Sequence, residues 1–245
     1  MPVRVETIDP SDEAALRVFY DTFVTAATPG RTDPTFWTYE EMRVALGTPS
    51  SSSRTEAYVA LLDDTPVAAG DLTLPLQDNT HLMEFDFAVL PEFRRRGVGT
   101  AVFDFLEARA ASEGRTSMTT EVMVTAGTED SAPAVPVLTA RGLTLRNTEI
   151  RRQQTLPVPA ERLDALEAKA AEKASSYRLE TWVGPCPEAY AEQYAALKGL
   201  LLTEAPVGDM DVEPEKWDVA RLRESEERAK AQRRTMHTTV AVAPD

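Results

Sequence analysis

A strand-length run, His81 to Leu90, passes through a proline-led basic loop, Pro91 to Arg96, into the glycine-rich helix start Gly97-Val98-Gly99-Thr100. A backbone can approach a phosphate closely at such a turn, because glycine has no Cβ in the way. The first-turn amides of the helix lack intrahelical acceptors and lie at the positive end of its dipole, so a pyrophosphate placed there accepts several hydrogen bonds at once. Arg94, Arg95 and Arg96 add positive charge beside them. What comes before the loop narrows the fold further. Ala57-Val59-Leu61 and Val67 to Leu76 read as strands joined by the acidic turn Asp63-Asp64-Thr65-Pro66, and Gln77-Asp78-Asn79-Thr80 turns into the third. An antiparallel meander leading to the loop disfavours a dinucleotide-binding fold, which opens on a βα unit.

The remaining elements follow from periodicity and punctuation. Val3, Val5 and Thr7 alternate as in a half-buried strand, and Pro10-Ser11-Asp12-Glu13 caps a helix carrying Leu16, Phe19 and Phe23 until Pro29-Gly30 stops it. A second helix is predicted over Pro34 to Leu46, with Phe36, Trp37, Tyr39 and Met42. The helix from Gly97 ends at Glu113-Gly114. A strand over Ser117 to Ala126, a helix over Ala132 to Ala140 and two short strands within Leu143 to Leu156 come next. Pro157-Val158-Pro159 breaks this βααβββαβαββ order, and Ala160 to Ala174 reads as an exposed spacer helix. From Tyr177 the opening pattern returns: a strand at Arg178 to Trp182, helices over Pro187 to Thr203 and Pro214 to Arg234, and a strand at Thr238 to Val242. No lysine precedes Pro159, whereas Lys169, Lys173, Lys198, Lys216 and Lys230 follow it. The expected organisation is therefore a first domain over 1–157, a helical linker over 158–176 and an incomplete second unit over 177–245.

Charge and cysteine usage exclude several functions. A net charge of −14 repels nucleic-acid backbones and anionic membrane surfaces. Cys186 is the single cysteine and His81 and His237 the only histidines, too few for a zinc site, so no metal is expected. With neither a signal-peptide plan nor a membrane-length apolar run, the expected location is the cytoplasm.

The stretch Phe85-Asp86-Phe87-Ala88-Val89-Leu90-Pro91-Glu92-Phe93-Arg94-Arg95-Arg96-Gly97-Val98-Gly99-Thr100 resembles motif A of the GNAT superfamily of acyl-CoA N-acyltransferases, Arg/Gln-x-x-Gly-x-Gly/Ala. The resemblance extends through the element order from Met1 to about Leu156. It implies an α/β (α+β) GNAT fold, a mixed and mostly antiparallel sheet flanked by helices, followed by the start of a second GNAT-like unit as in tandem members of the family. It also implies acetyl-CoA as acyl donor, with Arg94, Arg95, Arg96, Gly97, Val98, Gly99 and Thr100 at the pyrophosphate. Phe87, Val89 and Leu90 then flank the pantetheine arm along a splayed strand. A backbone amide at Val89 or Leu90 would polarise the thioester carbonyl, a donor worth ~3–4 kcal/mol where such donors have been removed.

Transfer to an amine also needs a base, and Glu84 and Asp86 alternate on one face of the strand entering the loop. Glu84 is the candidate base and Asp86 a substrate contact; the plainer alternative makes both solvent-facing strand residues. The family's usual acid, a tyrosine on the fourth helix, corresponds here to Leu138, and the Asn and Ala that often precede it to Ser131 and Ala134, so only the small residue is kept. A thiolate leaves without an acid more readily than an alkoxide, its thiol titrating near pH ~8.5. Trp37, Tyr39, Trp182 and Trp217 are read as packing aromatics, with an acceptor-pocket wall the alternative for the first two. His81 is expected to be solvated at a turn, and Cys186 to be a small loop residue with no nucleophilic role.

The function that follows is acetyl-CoA-dependent N-acetylation of a small-molecule or peptide amine, with cationic acceptors favoured by the negative field. The competing reading is a degenerate GNAT domain acting as a CoA-binding or non-catalytic scaffold, supported by Leu138 and the unfinished second unit. That unit would be either the start of a longer chain or a cap or arm supporting a homodimer.

Overall fold

The computed structural model describes residues 2–31, 34–128, 132–174 and 176–244; Ser131 lies outside them. Strand β1 (Arg4–Thr7) leads to helix α1 (Glu13–Ala27), whose N-cap Asp12 accepts from the amides of Ala14 and Ala15 at 3.0 and 3.1 Å. Helix α2 spans Tyr39–Gly47 and starts later than the sequence predicts. A capping box between Thr38 and Glu41 sets its first turn and overrides the proline at 34. Strands β2 (Ser53–Leu62) and β3 (Thr65–Pro75) form a hairpin closed by Asp63 and Asp64, both at positive φ. Strand β4 (Leu82–Val89) completes the meander, and after a 3-10 turn at Pro91–Phe93 helix α3 occupies Val98–Ser112.

The sheet is five-stranded, ordered β1-β2-β3-β4-β5. Its first four strands are antiparallel, and β5 (Ser117–Thr119) runs parallel to β4. The strand predicted to reach Ala126 thus ends after three residues. No strand forms over residues 143–156 either, which are mostly exposed, with Leu145 at 83% and Leu156 at 77%. Arg151 in this stretch bonds Thr35 Oγ1 at 3.0 Å, tying the chain to the segment before α2 instead of to a sheet edge. Helix α4 covers Ala134–Ala140.

Both sheet faces are covered. Tyr58, Leu72 and Phe85 meet Val102, Phe103 and Leu106 of α3 on one side; Val59 and Ala69 meet Leu16, Phe19 and Phe23 of α1 on the other. Tyr58 lies fully buried on β2, and its hydroxyl reaches across the sheet to donate to the Asp86 main-chain carbonyl at 3.1 Å. Gly70 makes the crossing possible, since a Cβ there would lie 2.2 Å from Asp86 O and 2.6 Å from the Tyr58 hydroxyl.

Beyond the exposed helix α5 (Ala160–Ala174), strand β6 (Arg178–Val183) pairs antiparallel with β7 (His237–Val242). Trp182, Cys186 and Trp217 share a separate small core with Leu222. The predicted helix over 187–203 is divided into a 3-10 turn at Glu188–Tyr190, α6 (Ala191–Gly199) and α7 (Leu201–Glu204). The last helix, α8, spans Val219–Ala231 with Asp218 as N-cap. The residues before it form a strap on the first sheet. The Asn79 side chain pairs with the Glu213 backbone through both its atoms, and Asp78 accepts from Lys216 N at 3.0 Å and Arg221 Nη1 at 2.7 Å. His81 is part of this junction, its Nε2 lying 3.0 Å from Asp211 O, and is not the freely solvated residue the sequence predicts.

Replacing Gly70 with alanine is expected to destabilise the protein by about 2–3 kcal/mol, as overpacking of a filled core does. Urea denaturation of the Gly70→Ala variant checks this; an unchanged midpoint contradicts the packing.

Candidate active site

Pairing between β4 and β5 covers only Leu82 to Glu84, opposite Ser117 to Thr119. From Phe85 to Val89, β4 keeps β3 as its neighbour on one edge and, among the described residues, has no strand on the other. Backbone groups alternate between the two edges of a strand. The Leu90 amide donates to Val67 O at 2.9 Å, which directs it toward β3 and removes it as a donor to a thioester oxygen. By the same alternation the Val89 amide faces the open edge. The side chains of Phe87 and Val89 pack against the α3-side core, so this edge presents their backbone.

The open edge runs directly into the loop. Gly97 is the α3 N-cap at φ +84, in the left-handed region that glycine tolerates, and no acidic residue occupies the first turn. The first intrahelical bond is Ala101 N to Gly97 O at 3.0 Å, which leaves the amides of Val98, Gly99 and Thr100 available. Arg94 is a brace: its Nε bonds Val89 O at 3.0 Å and its Nη2 bonds Ala26 O at 3.4 Å. Arg96 lies 5.3 Å from the Phe93 ring centre. Arg95 and Arg96 are exposed and make no hydrogen bond among the described residues, so their guanidinium groups remain open to an anion.

The opposite face of the same strands is acidic. Glu84, Asp86 and Ala88 project toward α1, and the register sets Thr73 against Glu84, Asp71 against Asp86 and Ala69 against Ala88. Glu84 is exposed, whereas Asp86 and Asp71 are half-buried. Loss of hydration against the sheet raises the Glu84 carboxyl, and the charges of Glu215 and Glu121 raise it further. Desolvation also raises Asp86, opposed by Arg31 and by the Phe87 amide, with Glu121 adding to the rise. Burial, reinforced by the charge of Asp86, pushes Asp71 to about 7. Glu84 and Asp86 are thus brought together on one face, with Asp71 as a third member the sequence analysis omits. Its only sequence signal is a charged residue inside the otherwise apolar run Val67 to Leu76.

Around this face Tyr39 packs edge-on to Tyr20 at 5.5 Å, and Trp37 is 44% exposed beneath Arg234. Leu138 turns toward the α3-side core. Cys186 is buried, its thiol raised by desolvation. Among the described residues no His, Cys, Asp and Glu grouping could hold a metal ion, and no helix is long and apolar enough to cross a membrane.

The model of the acetyltransferase (GNAT) family matches residues 16–137. No curated protein matches the chain. Among solved structures, a tandem GNAT protein from the clavulanic acid biosynthesis pathway superposes with TM-score 0.68 at 20% identity, covering 99% of this chain and 70% of its own. An aminoglycoside acetyltransferase from an uncultured soil metagenomic sample, in complex with sisomicin, matches at TM-score 0.45 and 15% identity over 63% of this chain and 96% of its own. A transcriptional regulator from Bacillus halodurans matches at 0.47 and 12%, over 62% and 100%. The first of these shows that the chain shares the fold of a tandem GNAT protein.

Asp71 gives the site a signature in stability. The folded protein keeps the Asp71 proton up to about pH 7, while the unfolded chain releases it near the ordinary value of 3.8. The native state therefore binds more protons across that window, and the residue costs stability as pH rises through it. Melting temperatures of the parent and Asp71→Asn at pH 5 and pH 8 check the sign: the variant should gain on the parent at the higher pH, and a constant difference contradicts it.

Proposed function

We propose that this chain, whose first unit belongs to the acetyltransferase (GNAT) family, transfers an acetyl group from acetyl-CoA to an amine of a small molecule or peptide. The observation that carries the reading is the open edge of β4 leading, through the short loop at residues 90–97, into a helix start with no acidic residue in its first turn. The amides of Val98, Gly99 and Thr100 suit a pyrophosphate, with Arg95 and Arg96 beside them and Arg94 bracing the loop from behind. Space fits as well: a Cβ on Gly99 would find only Phe87 Cε2, at 3.9 Å, and open room otherwise.

In this reading the Val89 amide donates to the thioester oxygen as negative charge develops there. Glu84 removes a proton from the acceptor ammonium through water, and its raised carboxyl makes it a better base near neutral pH. The freed amine attacks the carbonyl carbon, the new C–N bond forms as the C–S bond breaks, and the departing thiolate takes up, through water, the extra proton that the new amide nitrogen sheds. Leu138, packed in the core, supplies no acid to it. Asp86 holds the positive charge of the acceptor, and the −14 net charge draws cations toward the site. A cytoplasmic setting suits the single buried thiol.

A second reading, a degenerate domain that binds CoA without turnover or serves as a scaffold, is favoured by one observation, the apolar Leu138 where the family places its acid. Calorimetry with acetyl-CoA and a thiol-release assay over a panel of amines separate the two. Binding with turnover supports the enzyme, binding alone supports the degenerate domain, and neither removes the CoA assignment. Gly99→Val should lose acetyl-CoA binding while folding normally, because the free protein has room for the added atoms and the pyrophosphate does not; unchanged affinity contradicts the loop assignment. With an accepted amine, Glu84→Gln should lower kcat by ~10²–10⁴, most at low pH where the amine is most protonated. Asp86→Asn should instead raise KM for a cationic acceptor. A kcat–pH profile unaltered by Glu84→Gln removes Glu84 from the mechanism.

A further inference from the structure

Asp71 and Asp86 are register partners on β3 and β4. Directly opposed residues of an antiparallel pair leave the sheet on the same face with Cβ atoms ~4.5–5.5 Å apart, close enough for two carboxyls to interact. The elements packed over this face do not neutralise the pair. Helix α1 covers it with Leu16, Phe19 and Phe23, and α2 adds Tyr39, Met42 and Leu46. Arg31, just past α1, is the cation whose field reaches Asp86. Glu121, after β5, and Glu84, along β4, are of like charge, and Glu215 of the strap acts on Glu84. On the other face the Tyr58 hydroxyl donates to the main-chain carbonyl of Asp86, not to its carboxyl. No described residue donates a hydrogen bond to the Asp71 side chain, whereas the Phe87 amide supports that of Asp86.

We propose that Asp71 is a positioning residue that holds one proton in common with Asp86, and so sets the pH at which the pair meets an acceptor ammonium with its full charge. The part concerning the acceptor rests on the acyl-transfer reading above. Two carboxyls this close and this poorly hydrated do not ionise together easily, and their protons leave in two steps that belong to the pair. The half-buried setting of Asp71, which raises its proton affinity to about 7, agrees with this. Below that pH the pair carries one negative charge, and above it two. An ammonium bound against Asp86 favours the doubly ionised form, so its binding sends the shared proton to solvent while the ammonium keeps its own until Glu84 acts.

Aspartate labelled with carbon-13 at the side-chain carboxyl, titrated by NMR from pH 4 to pH 9 in the full chain, tests the shared proton without any substrate. In the parent, the Asp86 resonance should show a step near 7 that coincides with that of Asp71. In Asp71→Asn that step should vanish from Asp86. In Asp86→Asn the Asp71 transition should move down by about one pH unit or more, the size of coupling that defines such a pair. Either variant alone decides the matter if the other fails to fold. Independent titrations, with Asp71 unmoved in Asp86→Asn or no common step at Asp86, overturn the proposal. With an accepted amine, kcat/KM in the parent should rise through the same step and Asp71→Asn should lose that part of the rise; a rise undiminished in the variant overturns the link to the acceptor. Coupling by NMR with no acetylation of any amine places the failure in the acyl-transfer reading, and acetylation without coupling places it in the pair.

Discussion

The candidate site depends on where β4 and β5 stop pairing. Three residues of β5 hold Leu82 to Glu84, and beyond them one edge of β4 has no strand beside it among the described residues. A buried backbone amide or carbonyl without a partner is costly, so an edge left open inside a fold calls for water or a ligand. Here the open edge continues into the α3 N-terminus, whose amides are unpartnered for a related reason. One extended molecule with hydrogen-bond acceptors along its length and a phosphate at its end would satisfy both.

The two faces of the same strands serve opposite ends. On the α3 side the strands are locked: Tyr58 crosses over Gly70 to the Asp86 carbonyl, and Phe85, Phe103 and Leu106 fill the space behind. On the α1 side, a residue or two away along each strand, Asp71, Glu84 and Asp86 accumulate like charge against little positive compensation. Side chains alternate between faces, so the rigid packing behind Asp86 fixes where its carboxyl stands in front. Strained electrostatics on one face are thus held in place by dense packing on the other, as expected where a site is built on a sheet and not on a loop.

Local signals made much of this legible in advance. Asp12 as a cap, the alternating strands of the meander, the Asp63-Asp64 turn and the basic glycine loop each act within a few residues, and each lies where the sequence places it. What depends on pairing across the chain was not legible. Asp71 gains meaning only through its register with Asp86, and the choice between the Val89 and Leu90 amides only through the bond from Leu90 to Val67. Helix α2 starts at Tyr39 and not at Pro34 because Thr38 and Glu41 act as a reciprocal cap, a stronger signal than a proline four residues earlier. The strands expected within residues 143–156 have suitable alternation, but this stretch lies mostly exposed and is held by Arg151 to Thr35 instead of pairing with the sheet. The junction at Asp78, Asn79 and His81 joins a turn to a strap more than 120 residues later, a distance beyond any local pattern.

The most direct measurement of the account is a crystal structure of the full chain with acetyl-CoA. The account predicts pyrophosphate oxygens within hydrogen-bond reach of the Val98, Gly99 and Thr100 amides, the thioester oxygen at the Val89 amide, and the acetyl group opening toward the face that carries Glu84 and Asp86. Density for the nucleotide elsewhere on the molecule, or a thioester remote from the open edge of β4, would contradict it.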